Sequence, residues 1–314
     1  MLSFFRNRAR KEPGWLAVLV GEDAIRFVHA ERAPGGRVRV TLAGERSGVQ
    51  DSAAARRVVR ELDFSRYRAT TLLAREEYQI IVTDAPNVPR EELRAAIRWR
   101  VKDLLRCHPD DAMLDVLEIP PPTGGEGRPT HQMFVIAAEN SFIQARVDRC
   151  AALGIELAVI EVPETAQRNL ATAAHGDGTA VALIHLLADG ALITISYRGE
   201  LYFARWLDIG ADQLALARPE RESLMDRVAL EVQRSLDHFD RQYRFIGLGK
   251  LLVGPLAADD GFTDHLARAV GIEVEPYPLA EVLGGLPEPL GEPGLQGRLF
   301  HLLGAALREE TKVP

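Results

Sequence analysis

Glu22 and Asp23 stand side by side behind Gly21, in the stretch "GWLAVLVGEDAIRFVHAE" at 14–31. Two carboxylates in a glycine turn can hold a divalent cation, or they can be a solvated acidic turn. His185 precedes a second such turn, "LLADGALITI", where an imidazole could act as base or ligand; on a buried strand it also reads as a hydrogen-bonded core residue. His108 lies near Asp110, Asp111 and Asp115, which raises a metal site, but these residues flank a predicted loop and fit a solvated acidic corner more simply. "GLGK" at 247–250 lacks the earlier glycine and the trailing Ser/Thr of a phosphate-cradling loop, and no GxGxxG after a strand, GxSxG or HExxH is present.

A different chemistry is written in "VPREELRAAIRWRVKDLL" (88–105). Arg94, Arg98, Lys102 and Arg106 recur every four residues, with Trp99 beside them. Leu93, Ala96, Ile97, Val101 and Leu104 recur at spacings of three and four and should pack on a sheet. Cations around an aromatic can form a groove wall for a peptide or for anionic lipid heads. The same spacing fits a solvated helix face whose arginine stems cover apolar neighbours.

The elements that must position these residues follow from periodicity and turn chemistry. Strands are predicted over 15–20, 24–30, 37–42, 70–74, 78–83, 112–119 and 132–138. Helices are predicted over 51–62, capped by Asp51 or Ser52, from Arg90 to Arg106, and over 140–153. A strand and then a helix entered through Pro163 follow. Strands at 179–187, 190–197 and 200–207 are joined by short glycine turns. A helix over 219–243 carries a buried stripe of Leu224, Val228, Val232, Leu236, Phe239 and Tyr243. Strand 250–253, helix 262–270, strand 272–276, a Pro/Gly-rich stretch through 294 and a helix over 295–309 complete the chain. Two strand hairpins, near residues 20 and 188, make a loose internal duplication.

The bulk numbers set limits. The chain has 314 residues, 46% hydrophobic and 26% charged, with net charge −7. That suits a large core in two lobes and provides no global basic field to recruit nucleic acid. Cys107 and Cys150 are far apart, which suggests reduced, buried thiols. The start, "MLSFFRNRARK", is basic but has no apolar core of a secretion signal, so a cytoplasmic chain is expected. Its Leu2, Phe4 and Phe5 with four cations could lie on an anionic membrane surface, or form a loose solvated tail.

The run "YQIIVTDAPNVPREELRAAIRWRVKDLLRCHPDDAMLDVLEIP", with "HQMFVIAAENSFIQARVDRCAALGIELAVIEVPETAQRNLA" and "LEVQRSLDHFDRQYRFIGLGKLLVGP", resembles the MshI-type, PilM-like proteins of mannose-sensitive haemagglutinin (MSHA) type IV pili. The likeness covers about residues 12 to 310, and the rest of it fits the broader PilM and GspL-like group. It implies an α/β, actin-like (RNase H-like) two-lobed fold with a small inserted α/β subdomain in the first lobe. The implied division is a tail at 1–11, a first lobe of 12–75 with 155–177 completed by helix 295–309, an insert at 76–154 and a second lobe at 178–294. The implied role is a cytoplasmic scaffold, peripheral at the inner membrane, that binds a PilN-like membrane protein by its short cytoplasmic tail, seated between the first lobe and the insert. Arg94, Arg98, Trp99 and Lys102 are the candidate partner residues. A GspL-like adaptor docking an assembly ATPase is the alternative; such a chain would continue into a transmembrane segment, and this one ends at Pro314, which favours a separate membrane partner.

An actin-like ATP site implies an Asp at the end of the opening strand of each hairpin, small residues in the phosphate turns, and a Gly-Gly adenosine turn. Here Leu19 takes the first Asp position, Glu22 and Asp23 follow Gly21, His185 takes the second Asp position, Leu187 stands at the glycine, and Gly254 is followed by Pro255. Leucine cannot coordinate a metal, carboxylates repel a triphosphate, and proline removes a donor. The expectation is a non-enzymatic protein with no cofactor; ATP and Mg would enter only if it were an active actin-like ATPase.

Overall fold

The computed structural model describes residues 11–32, 37–49, 51–120, 132–176, 178–215, 220–257 and 261–309. Residues 1–10 of the tail expected at 1–11, and most of the proline- and glycine-rich loop at 120–130, lie outside the described residues.

In chain order the elements are β1 (Trp15–Val20), β2 (Ala24–Arg32), β3 (Val38–Ser47), α1 (Ser52–Glu61), β4 (Ala69–Leu72), β5 (Tyr78–Asp84), α2 (Leu93–Val101), β6 (Ala112–Ile119), β7 (Gln132–Glu139), α3 (Asn140–Ala152), β8 (Leu157–Glu161) and α4 (Pro163–Ala174). They continue as β9 (Ala180–Leu186), β10 (Ala191–Tyr197), β11 (Glu200–Leu207), α5 (Ala211–Leu214), α6 (Glu220–Gln242), β12 (Leu248–Val253), α7 (Phe262–Ala269), β13 (Glu273–Pro276), α8 (Leu279–Val282) and α9 (Pro293–Ala306). The short helices α5 and α8 were not expected; four residues are too few to show a helical period.

Two five-stranded sheets share one plan. The first runs β3-β2-β1-β4-β8 and the second β11-β10-β9-β12-β13. In each, the first three strands are antiparallel and the last two join in parallel. The duplication suspected from the hairpins is therefore complete in topology. β1 is buried on both faces, as a near-continuous apolar run requires. Its Leu16, Val18 and Val20 join a cluster with α1 and with Cys150 and Leu153 near the end of α3. Its Ala17 and Leu19 face the layer between the two sheets.

Helices α4 and α9 fill that layer. Phe300, Leu303 and Leu170 pack against Ala17 and Val28 of the first sheet and Val181, Leu183 and Leu252 of the second. The two helices touch backbone to backbone at Gly304, where any Cβ would strike the Ala166 carbonyl. The cap at Asp51 forms as expected, its Oδ1 accepting the Ala54 N–H at 2.7 Å. The predicted stripe of α6 is buried at Val228, Val232, Leu236, Phe239 and Tyr243.

The third sheet, β5-β7-β6, is antiparallel and has two apolar faces. Ala112, Leu114, Met133, Val135 and Ala137 face α2 through Ile97 and Val101. On the other face, Ile119 and Phe134 join the core of the second lobe, and Tyr78 and Ala138 pack with Leu73 and Val162 of the first. The helix expected from Arg90 to Arg106 is regular only over α2, with tighter turns at Arg90–Glu92 and Lys102–Leu104. That change of winding turns Leu104 outward to 60% exposure, so it does not pack on the sheet as its spacing suggested.

Candidate functional site

The two hairpin turns that would face a nucleotide are self-satisfied. Gly21 N–H donates to Ala24 O at 2.9 Å, and Leu187 N–H donates to Gly190 O at 2.8 Å. Glu22 and Asp23 point to water, while Leu19 is half-buried against α9. The second turn is also held from below: Ala211 N–H and Asp212 N–H, at the start of α5, donate to Leu187 O and Ala188 O at 2.7 and 3.1 Å. Both turns keep the hairpin geometry, and these two strand-closing N–H groups are spent internally.

His185 sits on β9 with its imidazole between Gly254 and α9. Its Nε2–H donates to Gly297 O at 3.1 Å, which leaves Nδ1 as a buried acceptor without a partner. The ring lies 4.7 Å from Phe300 and 4.9 Å from His301. Burial holds its pKa down to about 4, so it is neutral at pH 7. His301 is also held well below its ordinary value by burial and by His185. His301 Nε2 faces Gln167 Nε2 at 3.2 Å, and Gln167 Oε1 accepts from Thr194 Oγ1 at 2.8 Å. Gly254 N–H is committed to Ile184 O at 2.7 Å, and Pro255 lies under Gly297. His185 and the first turn of α9 thus pack against Gly254 and Pro255, the positions that the resemblance assigns to an adenosine turn. His108 Nδ1 and Asp110 Oδ2 are 3.7 Å apart in an exposed corner, and no group of three metal-capable side chains occurs among the described residues.

A groove of about 760 Å³ opens elsewhere, between the inserted sheet and the first lobe. One wall is β6 with Met113, Asp115 and Leu117; the other is β8 with Val159, Ile160 and Glu161. Ile136, Ala138, Ile143, Leu73 and Val162 add apolar surface, and Thr165, Arg168, Arg308 and Glu309 complete it. Among the described residues both β6 and β8 are edge strands of their sheets, and an edge strand can accept a further strand. Arg308 reaches Glu161 at 2.9 Å while stacking on Trp15, its Cζ 4.4 Å from the ring centre. Burial raises the Glu161 pKa against the pull of Arg308.

The basic helix does not reach this groove. α2 covers the opposite face of the same sheet. Trp99 is 72% exposed there, with Lys102 Nζ 3.7 Å from its ring centre. Arg94 is exposed. Arg98 turns inward instead, donating to Pro109 O and, at 3.0 Å, to Ala112 O. It ties α2 to the start of β6, so it is a brace within the sheet rather than a free cation. The residues that line the groove carried a faint signal: "AMLDVLEI" alternates, yet its outward positions include Met113 and Leu117, apolar residues that a one-sided sheet would not need.

Glu164 was not anticipated at all. It is buried at the start of α4 and accepts from Tyr78 OH at 2.7 Å and Trp206 Nε1 at 2.8 Å. Arg75, 5.1 Å from the Trp206 ring, also pairs with Asp208 at 2.7 Å. One carboxylate therefore joins the first sheet's α4, the inserted sheet and the second sheet. Burial raises the pKa of Glu164 and of Tyr78.

Solved structures share this architecture. The PilM–PilN type IV pilus biogenesis complex matches with a TM-score of 0.70 at 19% identity, over 95% of this chain and 98% of that one. The cytoplasmic domain of EpsL, an inner-membrane component of the type II secretion system of Vibrio cholerae, matches with a TM-score of 0.50 at 16% identity, over 86% and 92%. Neither a protein-family model nor a curated sequence matches. The chain has the actin-like, two-lobed α/β fold with a small inserted α/β subdomain. No described helix is long and apolar enough to cross a membrane.

Proposed function

We propose that this protein is a non-enzymatic adaptor of a pilus or related secretion platform, and that its groove holds the short cytoplasmic tail of an inner-membrane, PilN-like partner. The observation that carries the reading is the groove itself: an apolar trench flanked by two sheet edges, as an extended peptide requires. The filled cleft around His185 supports a body that works without nucleotide. The likeness of fold to the PilM–PilN complex and to EpsL supports the class of system, and the resemblance of residues 88–105 to MshI-type proteins supports an MSHA-like pilus. On this reading the protein sits at the cytoplasmic face of the inner membrane through its partner, and the first lobe, insert and second lobe divide at about 76, 154 and 178.

The test is isothermal titration of the full chain with the cytoplasmic tail of the co-encoded inner-membrane pilus protein, and with Mg-ATP. Tail binding is expected, with a loss of roughly 10-fold or more in Met113→Arg, since a long hydrated guanidinium would replace an apolar side chain of the groove. Equal tail binding by the folded variant, or micromolar binding of Mg-ATP, would overturn the proposal.

A further inference from the structure

The charges lining the groove are not all paired. Glu161 is matched by Arg308 at 2.9 Å, and Glu309 by Arg32 at 2.9 Å. Two remain, on opposite walls. The Asp115 carboxylate on β6 accepts only from the neighbouring Val116 N–H, at 3.0 Å, among the described residues. Among the described residues the Arg168 guanidinium on α4 donates only to Asn169 Oδ1, at 3.1 Å, with Glu161 and Glu200 near enough to feel its charge but neither in an ion pair with it. Met113 and Leu117 stand two residues before and after Asp115, on the same face of the same edge strand. The facing edge strand, β8, is five residues long, or about 17 Å at ~3.3 Å per residue.

We infer that the groove selects an extended segment of about five residues, with a Lys or Arg opposite Asp115, apolar residues two positions to either side of it, and a carbonyl or carboxylate oxygen at Arg168. This rests on the groove being the partner site and adds the chemistry of the partner. A strand laid beside β6 turns alternate side chains to the same wall, so its pattern must mirror Met113–Asp115–Leu117. An acid opposite Asp115 would place two like charges together in a partly apolar trench. A basic residue meets the opposite charge, and lysine and arginine are the charges that abound where membrane proteins emerge on the cytoplasmic side. Glu161 cannot serve as a second basic-residue receptor, because Arg308 already occupies it.

The probe is a phage-displayed random heptapeptide library panned on the full chain, followed by fluorescence anisotropy of the enriched peptides and of their Lys→Glu counterparts. Wild type should enrich alternating apolar residues around a Lys or Arg and prefer it over Glu by roughly 5-fold, a charge effect at the upper end for an exposed pair. Asp115→Lys, at an exposed position, should reverse the preference without lowering the melting temperature. Met113→Arg should weaken every enriched peptide whatever its charge. If Met113→Arg weakens the peptides but Asp115→Lys leaves the preference unchanged, the charge pattern is wrong and the groove stands. If Met113→Arg leaves them unaffected, the groove reading itself falls. A library that enriches nothing on wild type overturns the inference.

Discussion

A methyl group at Gly254 has no room. A Cβ built there would stand 2.6 Å from His185 Nδ1 and 3.0 Å from His185 Cβ and Cγ. The imidazole cannot swing away, because Gly297 O holds its Nε2 at 3.1 Å and Phe300 and His301 flank the ring at 4.7 and 4.9 Å. Gly254→Ala must therefore displace a packed ring, a strain of about 1–3 kcal/mol. Urea unfolding should show a lower midpoint at unchanged slope, and heating a loss of about 2–4 °C per kcal/mol. His185→Ala removes the obstacle and leaves the Gly297 carbonyl without its donor, which costs about 1–3 kcal/mol. In that background the ring contacts are gone and only the Cβ of residue 185, at 3.0 Å, still crowds the added methyl, so most of its cost is relieved. The two substitutions should thus couple by about 1–3 kcal/mol in the rescuing direction. Strict additivity, or a Gly254→Ala chain within about 0.5 kcal/mol of wild type, would refute the picture of a cleft filled by His185.

The same ring makes stability depend on pH. Its folded pKa, about 4, lies below the ordinary value of 6.5, so the unfolded chain takes up the proton first. Stability from the neutral ring is full above pH 6.5 and is lost as pH falls toward 4, by about 3 kcal/mol at most; His185→Gln should reduce that slope without abolishing it, because His301 and His29 are also held low, and an unchanged slope in the variant would rule the ring out as a source. Glu164→Ala should destabilise the protein by about 2–4 kcal/mol, because Tyr78 OH and Trp206 Nε1 each lose a buried acceptor oxygen. Glu164→Gln should be much milder, since a tyrosine hydroxyl can accept from the new amide; equal melting temperatures for the two variants would argue against the junction. Arg98→Ala should loosen the inserted sheet by about 1–2 kcal/mol, seen as faster amide exchange over 93–116, while Trp99→Ala leaves exchange as in wild type. Identical exchange in both variants would show that Arg98 braces nothing.

Much of the fold is legible in local pattern. The run "WLAVLV" reads as a strand because all six of its residues are apolar, and α6 reads as a helix because Leu224, Val228, Val232, Leu236 and Phe239 recur at helical spacing. Glu22, Asp23 and His185 can be compared with the pattern that the resemblance implies from the sequence alone, since side-chain identity is judged without a neighbour. The groove was not legible in that way. Spacing alone shows that Arg94, Arg98 and Lys102 share a helix, but not that Arg98 bends inward to Pro109 and Ala112, because those carbonyls are distant in the helix's own register.

Sequence alone determined most strand and helix types, the paired hairpins, and the identity of the side chains, Leu19 and His185 among them, at the positions where the resemblance expects acids. These depend on periods of two and 3.6 residues and on side-chain identity, which are local. Only the tertiary structure decided that α9 closes over His185, that Glu164 joins three bodies, and that the edges of β6 and β8 face each other across an open trench. Residues 115 and 161 are 46 positions apart in the chain, and no local rule measures the space between two sheet edges that distant packing brings together.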